Sequence, residues 1–88
     1  MDLDTVLSKN PNSAYRFYDG KGVVVLPDRS EVNVLNEVGS MVWEQIDGKR
    51  NVAQILRAVV DTFEINPDQV EQDVIAFITS LQEHGMVS

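Results

Sequence analysis

The segment LNEVGSMVWEQIDGKRNVAQIL, from Leu35 to Leu56, determines the fold of this chain. Its first half places apolar residues on one stripe of a helix, which Asn36 is predicted to cap and Gly48 to end. A second helix is predicted to begin at Asn51, because Asn-x-x-Gln resembles a capping box. Two helices joined by a tight turn are the layout of a DNA-binding helix-turn-helix.

Three strands are predicted upstream of this segment. AYRFY (14–18) alternates in side-chain character with a period of two, and the next residues, DGKG (19–22), supply the glycines of a hairpin turn. VVVL (23–26) is apolar on both faces, as expected of a central strand. After a turn at PDRS (27–30), EVNVL (31–35) is predicted to be a third strand at an edge of the sheet.

A third helix is predicted downstream, beginning with Asn66 as its cap and Pro67 as its first residue. Its apolar stripe consists of Val70, Val74, Phe77, Ile78 and Leu81. Gly85 is expected to stop this helix and to fold Met86 back toward Leu81 in a Schellman motif. The chain is therefore expected to be an α+β domain over residues 14–88, a three-stranded antiparallel β-meander followed by three α-helices. Residues 1–13, which are mostly polar, are expected to be a flexible N-terminal arm.

The composition narrows the possible functions. Fourteen acidic against seven basic residues give a formal charge of −7, which opposes binding to nucleic acid or to an anionic membrane. No cysteine and a single histidine are present, so we expect neither a metal site nor a cofactor. The absence of cysteine fits a cytoplasmic location, and the N-terminus MDLDTVLSKN resembles no targeting signal.

Residues of the types that could catalyse a reaction or bind a metal ion have simpler structural explanations. The acidic residues between Asp61 and Asp73 lack the spacing of a calcium loop and fit a solvated helical face. His84 lies where the last turn of a helix favours a cation, and no nucleophile motif surrounds it. Ser40 stands in Gly-Ser-Met rather than in the Asp-Ser-Leu typical of acyl carrier proteins. These features do not predict an enzyme.

The third strand is the remaining candidate for a binding site. An unpaired edge offers backbone donors and acceptors to an extended peptide, so residues from Ser30 to Leu35 could pair with one. Alternatively, the edge is covered by another segment or protected by its charged residues. If the amide of Asn33 points outward, proline there should prevent pairing without disturbing the core.

Several short motifs in a fixed order resemble those of one family. They are LNEVG (35–39), VWE (42–44), IDG (46–48), VAQI (52–55), VExDVxxFIxxL (70–81) and HGMV (84–87). Together they closely resemble the pyrroloquinoline quinone biosynthesis protein D (PqqD) family, over about residues 15–87. The chain departs from many relatives in its third strand, where EVNV replaces an aromatic pattern.

The resemblance implies a winged-helix-like fold and a non-enzymatic role. It implies that the domain binds the leader segment of a ribosomally made precursor peptide and delivers it to a modifying enzyme, such as a radical SAM protein or a leader peptidase. The leader would add as a strand beside the third strand and lie against the third helix. The contact residues are then predicted to be Ser30, Glu31, Val32, Asn33, Val34 and Leu35 of the strand, with Asp73, Ala76, Phe77 and Ser80, which form one flank of the apolar stripe of the helix. The opposite flank of that helix, through Ile78, is an alternative.

Two other functions are compatible with parts of the sequence. A winged-helix DNA-binding regulator would share the predicted fold, but such a protein needs cations along its recognition helix. The second helix offers only Arg57, and the third offers none. An acidic carrier modified at Ser40 is the other alternative.

Overall fold

The computed structural model describes residues 2–26, 31–63 and 66–88. Within these ranges the chain forms an antiparallel sheet with strands in the order β1-β2-β3, followed by three helices. The elements are β1 (Ala14–Tyr18), β2 (Lys21–Leu26), β3 (Glu31–Leu35), α1 (Glu37–Gln45), α2 (Val52–Phe63) and α3 (Pro67–Glu83). This architecture confirms the predicted α+β fold and the edge position of β3. The turn predicted at residues 27–30 lies outside the described residues.

The caps predicted from the sequence are confirmed at all three helices. The Asn36 side chain accepts a hydrogen bond from the amide of Gly39 at 2.7 Å. Asn51 and Gln54 exchange reciprocal side-chain-to-amide bonds of 2.9 Å, which complete the capping box of α2. The Asn66 side chain accepts bonds from the first amides of α3. Each helix therefore begins where local polar chemistry satisfies its free amides.

The C-terminal ends of the helices agree with the prediction at α3 but not at α1. Gly85 has a φ of 73°, and the amide of Met86 donates to the carbonyl of Leu81 at 2.9 Å, so the predicted Schellman motif is confirmed. Helix α1, in contrast, ends at Gln45, before the predicted stop at Gly48. Gly48, at a φ of 77°, belongs instead to the connecting turn, where the Asp47 carboxylate accepts the amides of Lys49 and Arg50.

The N-terminal segment differs from the expected flexible arm. Leu7 is fully buried in the core, and residues 5–10 form backbone hydrogen bonds with the start of α2 and with the C-terminal residues. Ser8 and Ser88, for example, exchange two such bonds of 3.0 Å. The segment lacks a periodic apolar pattern because it lies along two distant parts of the chain rather than forming a helix or a long strand of its own.

Helix α1 packs closely on the sheet at Gly22. The amide of Gly22 donates to the buried hydroxyl of Ser40 at 2.8 Å, and a side chain at position 22 would lie 2.5 Å from that oxygen. Ser40 is only 1% exposed. The serine therefore joins helix to sheet, and its burial argues against a covalently attached carrier group.

Replacing Ser40 with alanine should lower the free energy of unfolding by about 1–3 kcal/mol, because the amide of Gly22 loses its side-chain acceptor in a buried site. Urea denaturation followed by circular dichroism measures this loss. Ser80→Ala, on the exposed face of α3, is the matched control and should change stability by less than about 0.5 kcal/mol. Equal stabilities for the two variants would contradict the structural role of Ser40.

Candidate functional site

Among the described residues no strand pairs with the outer edge of β3, and the hairpin register identifies the backbone groups that point outward there. Tyr18 pairs with Lys21 across the two-residue turn, so this pair exchanges both backbone hydrogen bonds. Because the direction of these groups alternates along a strand, those of Gly22 point away from β1 and toward β3, where Gly22 pairs with Leu35. The amides and carbonyls of Val32 and Val34 therefore point outward, away from β2.

The backbone groups of Asn33 point in the opposite direction from those of Val32 and Val34. Asn33 pairs with Val24 in the same register, so its amide faces β2 rather than the free edge. Its side chain lies on the helix side of the sheet, where Nδ2 is 3.7 Å from the sulfur of Met86. The condition for the proline test at Asn33 is thus not met, and the residues suited to that test are Val32 and Val34.

A cleft of about 230 Å³ lies between α1 and α3, next to the end of β3. Its walls are mainly apolar, with one amide and one carboxylate side chain. They are formed by Asn36, Val38, Gly39, Val42, Val70, Asp73, Val74 and Phe77. Gly39 keeps the two helices close, since a side chain there would lie 3.3 Å from the tip of Phe77. The cleft can accept a large apolar side chain with a polar or basic neighbour.

The carboxylate of the cleft is held in place from within α3. Gln69 Nε2 donates to Asp73 Oδ1 at 3.0 Å, one helical turn apart. Asp73 is exposed and also lines the cleft. A lysine or arginine of a ligand could pair with it.

The structure brings together only part of the predicted contact set. Asp73 and Phe77 line the cleft, whereas Ala76 lines a separate surface and Ser80 is exposed elsewhere on α3. Ile78, on the alternative flank of this helix, is fully buried in the core.

The predicted contact residues of the strand likewise do not all lie beside the cleft. The side chains of Val32 and Val34 are 65% and 64% exposed on the face of the sheet away from the helices. The side chain of Val34 therefore lies on the other face of the sheet from the cleft that Phe77 lines. Leu35 is buried, Glu31 contributes its backbone to β3, and Ser30 lies outside the described residues.

Sequence reasoning missed the α1 wall of the cleft. Val38 and Val42 fall on the apolar stripe of α1, and nothing in their spacing separates a cleft wall from a core residue. Gly39 is the signal that could have located it, because a glycine inside a helix often marks the close approach of another element.

Neither a cluster of metal-ligating side chains nor a membrane-spanning helix is found among the described residues. Within them, no group of three or more metal-ligating side chains is suitably placed for an ion. Among the helices of this part of the chain, none combines the length and the apolarity that crossing a bilayer requires.

The fold is a small α+β domain whose edge strand, β3, lies beside a helical cleft. The family model described as Coenzyme PQQ synthesis protein D (PqqD) matches residues 21–87. The chain belongs to this family. A comparison with curated protein sequences finds no significant match.

Three solved structures share the fold. TbiB1, in complex with the TbiA(beta) leader peptide, is 17% identical with a TM-score of 0.83, over 92% of this chain and 94% of that one. A lasso peptide synthetase B1, complexed with the leader peptide, is 20% identical with a TM-score of 0.82, over 96% and 99%.

The third structure is the PqqD truncation of Methylobacterium extorquens PqqCD, a stand-alone recognition element for ribosomally synthesized and post-translationally modified peptides. It is 20% identical with a TM-score of 0.80, over 99% of this chain and 93% of that one. At these identities the likeness establishes the fold.

Proposed function

We propose that this domain is a non-enzymatic recognition element that binds the leader segment of a ribosomally made precursor peptide. The leader would add as a strand to the free edge of β3. The observation that carries the proposal is the pair of outward-facing backbone positions, Val32 and Val34, next to the cleft between α1 and α3.

An added strand would use both sides of this edge. It would lie about 4.8 Å from β3 and direct alternate side chains to opposite faces of the sheet. One set would face the helices, where the cleft offers an apolar site and Asp73 an anionic one. The other set would lie beside the exposed side chains of Val32 and Val34. Backbone bonds would supply affinity, and the cleft would supply specificity.

The comparisons support the proposal by analogy. Two of the structural neighbours were solved with leader peptides, and the third is described as a recognition element. By the same reasoning we propose that the bound peptide is presented to a modifying enzyme such as a radical SAM protein or a leader peptidase. A cytoplasmic location is part of the proposal and is supported by the lack of cysteine.

Amide chemical shifts of the ¹⁵N-labelled protein, followed during titration, test the site. The ligand is to be a short precursor peptide, sought among the open reading frames adjacent to the gene for this chain. The largest shifts are expected at Val32 and Val34, followed by Gly39, Asp73 and Phe77 around the cleft. Shifts confined to α2 and the far flank of α1 would place the peptide elsewhere and reject the edge-strand site.

Duplex DNA is the comparison ligand in the same experiment. A chain of charge −7 lacks the counterion-release contribution that dominates nucleic-acid affinity, and α3 carries no lysine or arginine. No shifts are therefore expected at physiological salt. Micromolar, salt-sensitive binding of DNA would instead favour the winged-helix regulator.

A further inference from the structure

A second groove, of about 320 Å³, lies on the opposite flank of α1 from the cleft. Its lining includes Phe17, Glu37, Met41, Glu44, Thr62 and Phe63. Phe17 is 54% exposed although it lies on the helix-facing side of the sheet, as its neighbour Tyr15 does two residues earlier. Opposite it in the register is Gly22, which has no side chain to cover the ring.

The chemistry of this groove is apolar and anionic. Phe17, Met41 and Phe63 provide an apolar floor, and the exposed carboxylates of Glu37 and Glu44 stand on α1. The described residues that line the groove include no lysine or arginine. A ligand that fits it therefore pairs a basic group with a large apolar side chain.

The Glu44 carboxylate is oriented by the sheet. Its Oε2 accepts a hydrogen bond from the hydroxyl of Tyr15 at 2.8 Å. Burial, and then this bond to an anion, raise the pKa of Tyr15 above its ordinary value, so the phenol stays protonated and remains a donor at neutral pH. Glu44 is thus held at the side of the groove, where its exposed carboxylate can accept a hydrogen bond from a cationic side chain.

The groove begins where the proposed peptide strand would end. Strand β3 ends at Leu35, and the next two residues diverge: Asn36 lines the cleft and Glu37 lines the second groove. A helix is about 10 Å across, and an extended chain advances about 3.3 Å per residue. Three or four peptide residues would therefore cross from one side of the start of α1 to the other.

We propose that this groove binds a second segment of the same precursor peptide, one that continues past the Leu35 end of β3 and carries Lys or Arg beside a large apolar side chain. The inference rests on the proposed function. A peptide is favoured over a separate protein because the space holds one or two side chains, whereas a stable protein interface buries about 1,200–2,000 Å². The carboxylates select the basic residue, and Phe17 supports the apolar one.

Selection from a library of displayed random peptides, each about 16 residues long, tests the proposal without knowledge of the natural ligand. The baits are the wild type, the groove variant Glu37→Gln/Glu44→Gln, and the control variant Glu71→Gln/Glu83→Gln. The control removes the same charge from exposed positions on α3. The wild type and the control should select a strand-forming segment with a basic residue about three to five positions outside it. The groove variant should select the strand-forming segment without that basic residue.

The affinity of a peptide selected on the wild type then measures how much the groove contributes to binding. This affinity should fall by about three- to tenfold on the groove variant at low salt, because exposed ion pairs are weak and screened. Phe17→Ser should weaken binding to a similar degree. Tyr18→Ser changes the neighbouring aromatic residue on the other face of the sheet and should leave the affinity unchanged.

Three results would overturn the inference. One is equal enrichment of the basic residue on the wild type and the groove variant, and another is no such enrichment on the wild type. In both cases the edge-strand function stands if the selected peptides lose affinity for Val34→Pro. The third is undiminished affinity for Val34→Pro, which would reject the edge-strand function together with the inference.

Discussion

Trp43→Ala is expected to unfold most of the protein at room temperature. The indole is 1% exposed, and its ring lies 6.2 Å from that of Tyr15, so it joins α1 to the sheet. Truncating a buried tryptophan costs about 3–5 kcal/mol, which approaches the entire stability of a small domain. Thermal and urea denaturation, followed by far-ultraviolet circular dichroism, measure the loss.

The matched variants separate packing from hydrogen bonding at this position. Trp43 Nε1 has no hydrogen-bond partner among the described residues, so Trp43→Phe should remove apolar contacts without breaking a bond and should keep the fold at a smaller cost. Leu3→Ala, at a residue that is 38% exposed, controls for apolar loss near the surface. A cooperative melt of Trp43→Ala within about 1–2 °C of the wild type would show that the tryptophan does not anchor the core, against the burial seen here.

The helix caps were predictable because the interactions that form them are local. Asn51 and Gln54 are three residues apart, and Asn66 caps amides two and three residues ahead. The Schellman motif at Gly85 likewise involves only residues of the last turn. Such contacts can be predicted from sequence because chain connectivity already brings the partners together.

The features that the sequence did not reveal depend on distant partners. Leu7 is buried because the N-terminal segment pairs with residue 51 and with the C-terminus, far along the chain. The walls of the cleft come from α1 and α3, and although Gly39 marks a close approach, no short pattern records which element approaches it. Period-two alternation showed that Val32 and Val34 share a face, but only the packing of the helices shows which face it is.

The direction of the amides on β3 could have been predicted in part. Asp19-Gly20 predicts a two-residue hairpin, and such a hairpin fixes which residues of β2 point away from β1. The pairing of β2 with β3 is the missing step, since the sequence does not specify it. With the register known, Val34 becomes a sharper probe of the edge than Asn33.

Val34→Pro should reduce the affinity for the leader peptide by about 5- to 150-fold, the equivalent of about 1–3 kcal/mol for a lost backbone hydrogen bond at a desolvated edge. Proline removes the outward donor, and its ring occupies the position that an added strand would take. The ladder to β2 uses the amides of Asn33 and Leu35 instead, so it remains intact. Fluorescence polarisation of a labelled precursor peptide measures the affinity, and circular dichroism verifies the fold.

Two variants at the same edge test whether the loss of affinity comes from the backbone amide of Val34 rather than from its side chain. Val34→Ala keeps the amide and shortens an exposed side chain, so its affinity should stay within about twofold of the wild type. Asn33→Pro removes an amide that faces β2, so it should lower the melting temperature even without ligand. If the folded Val34→Pro protein bound the peptide as tightly as the wild type, the outer edge of β3 would not be where the leader adds. Because Val34→Ala and Val34→Pro lose the same side-chain contacts, only strand addition predicts a large difference between them.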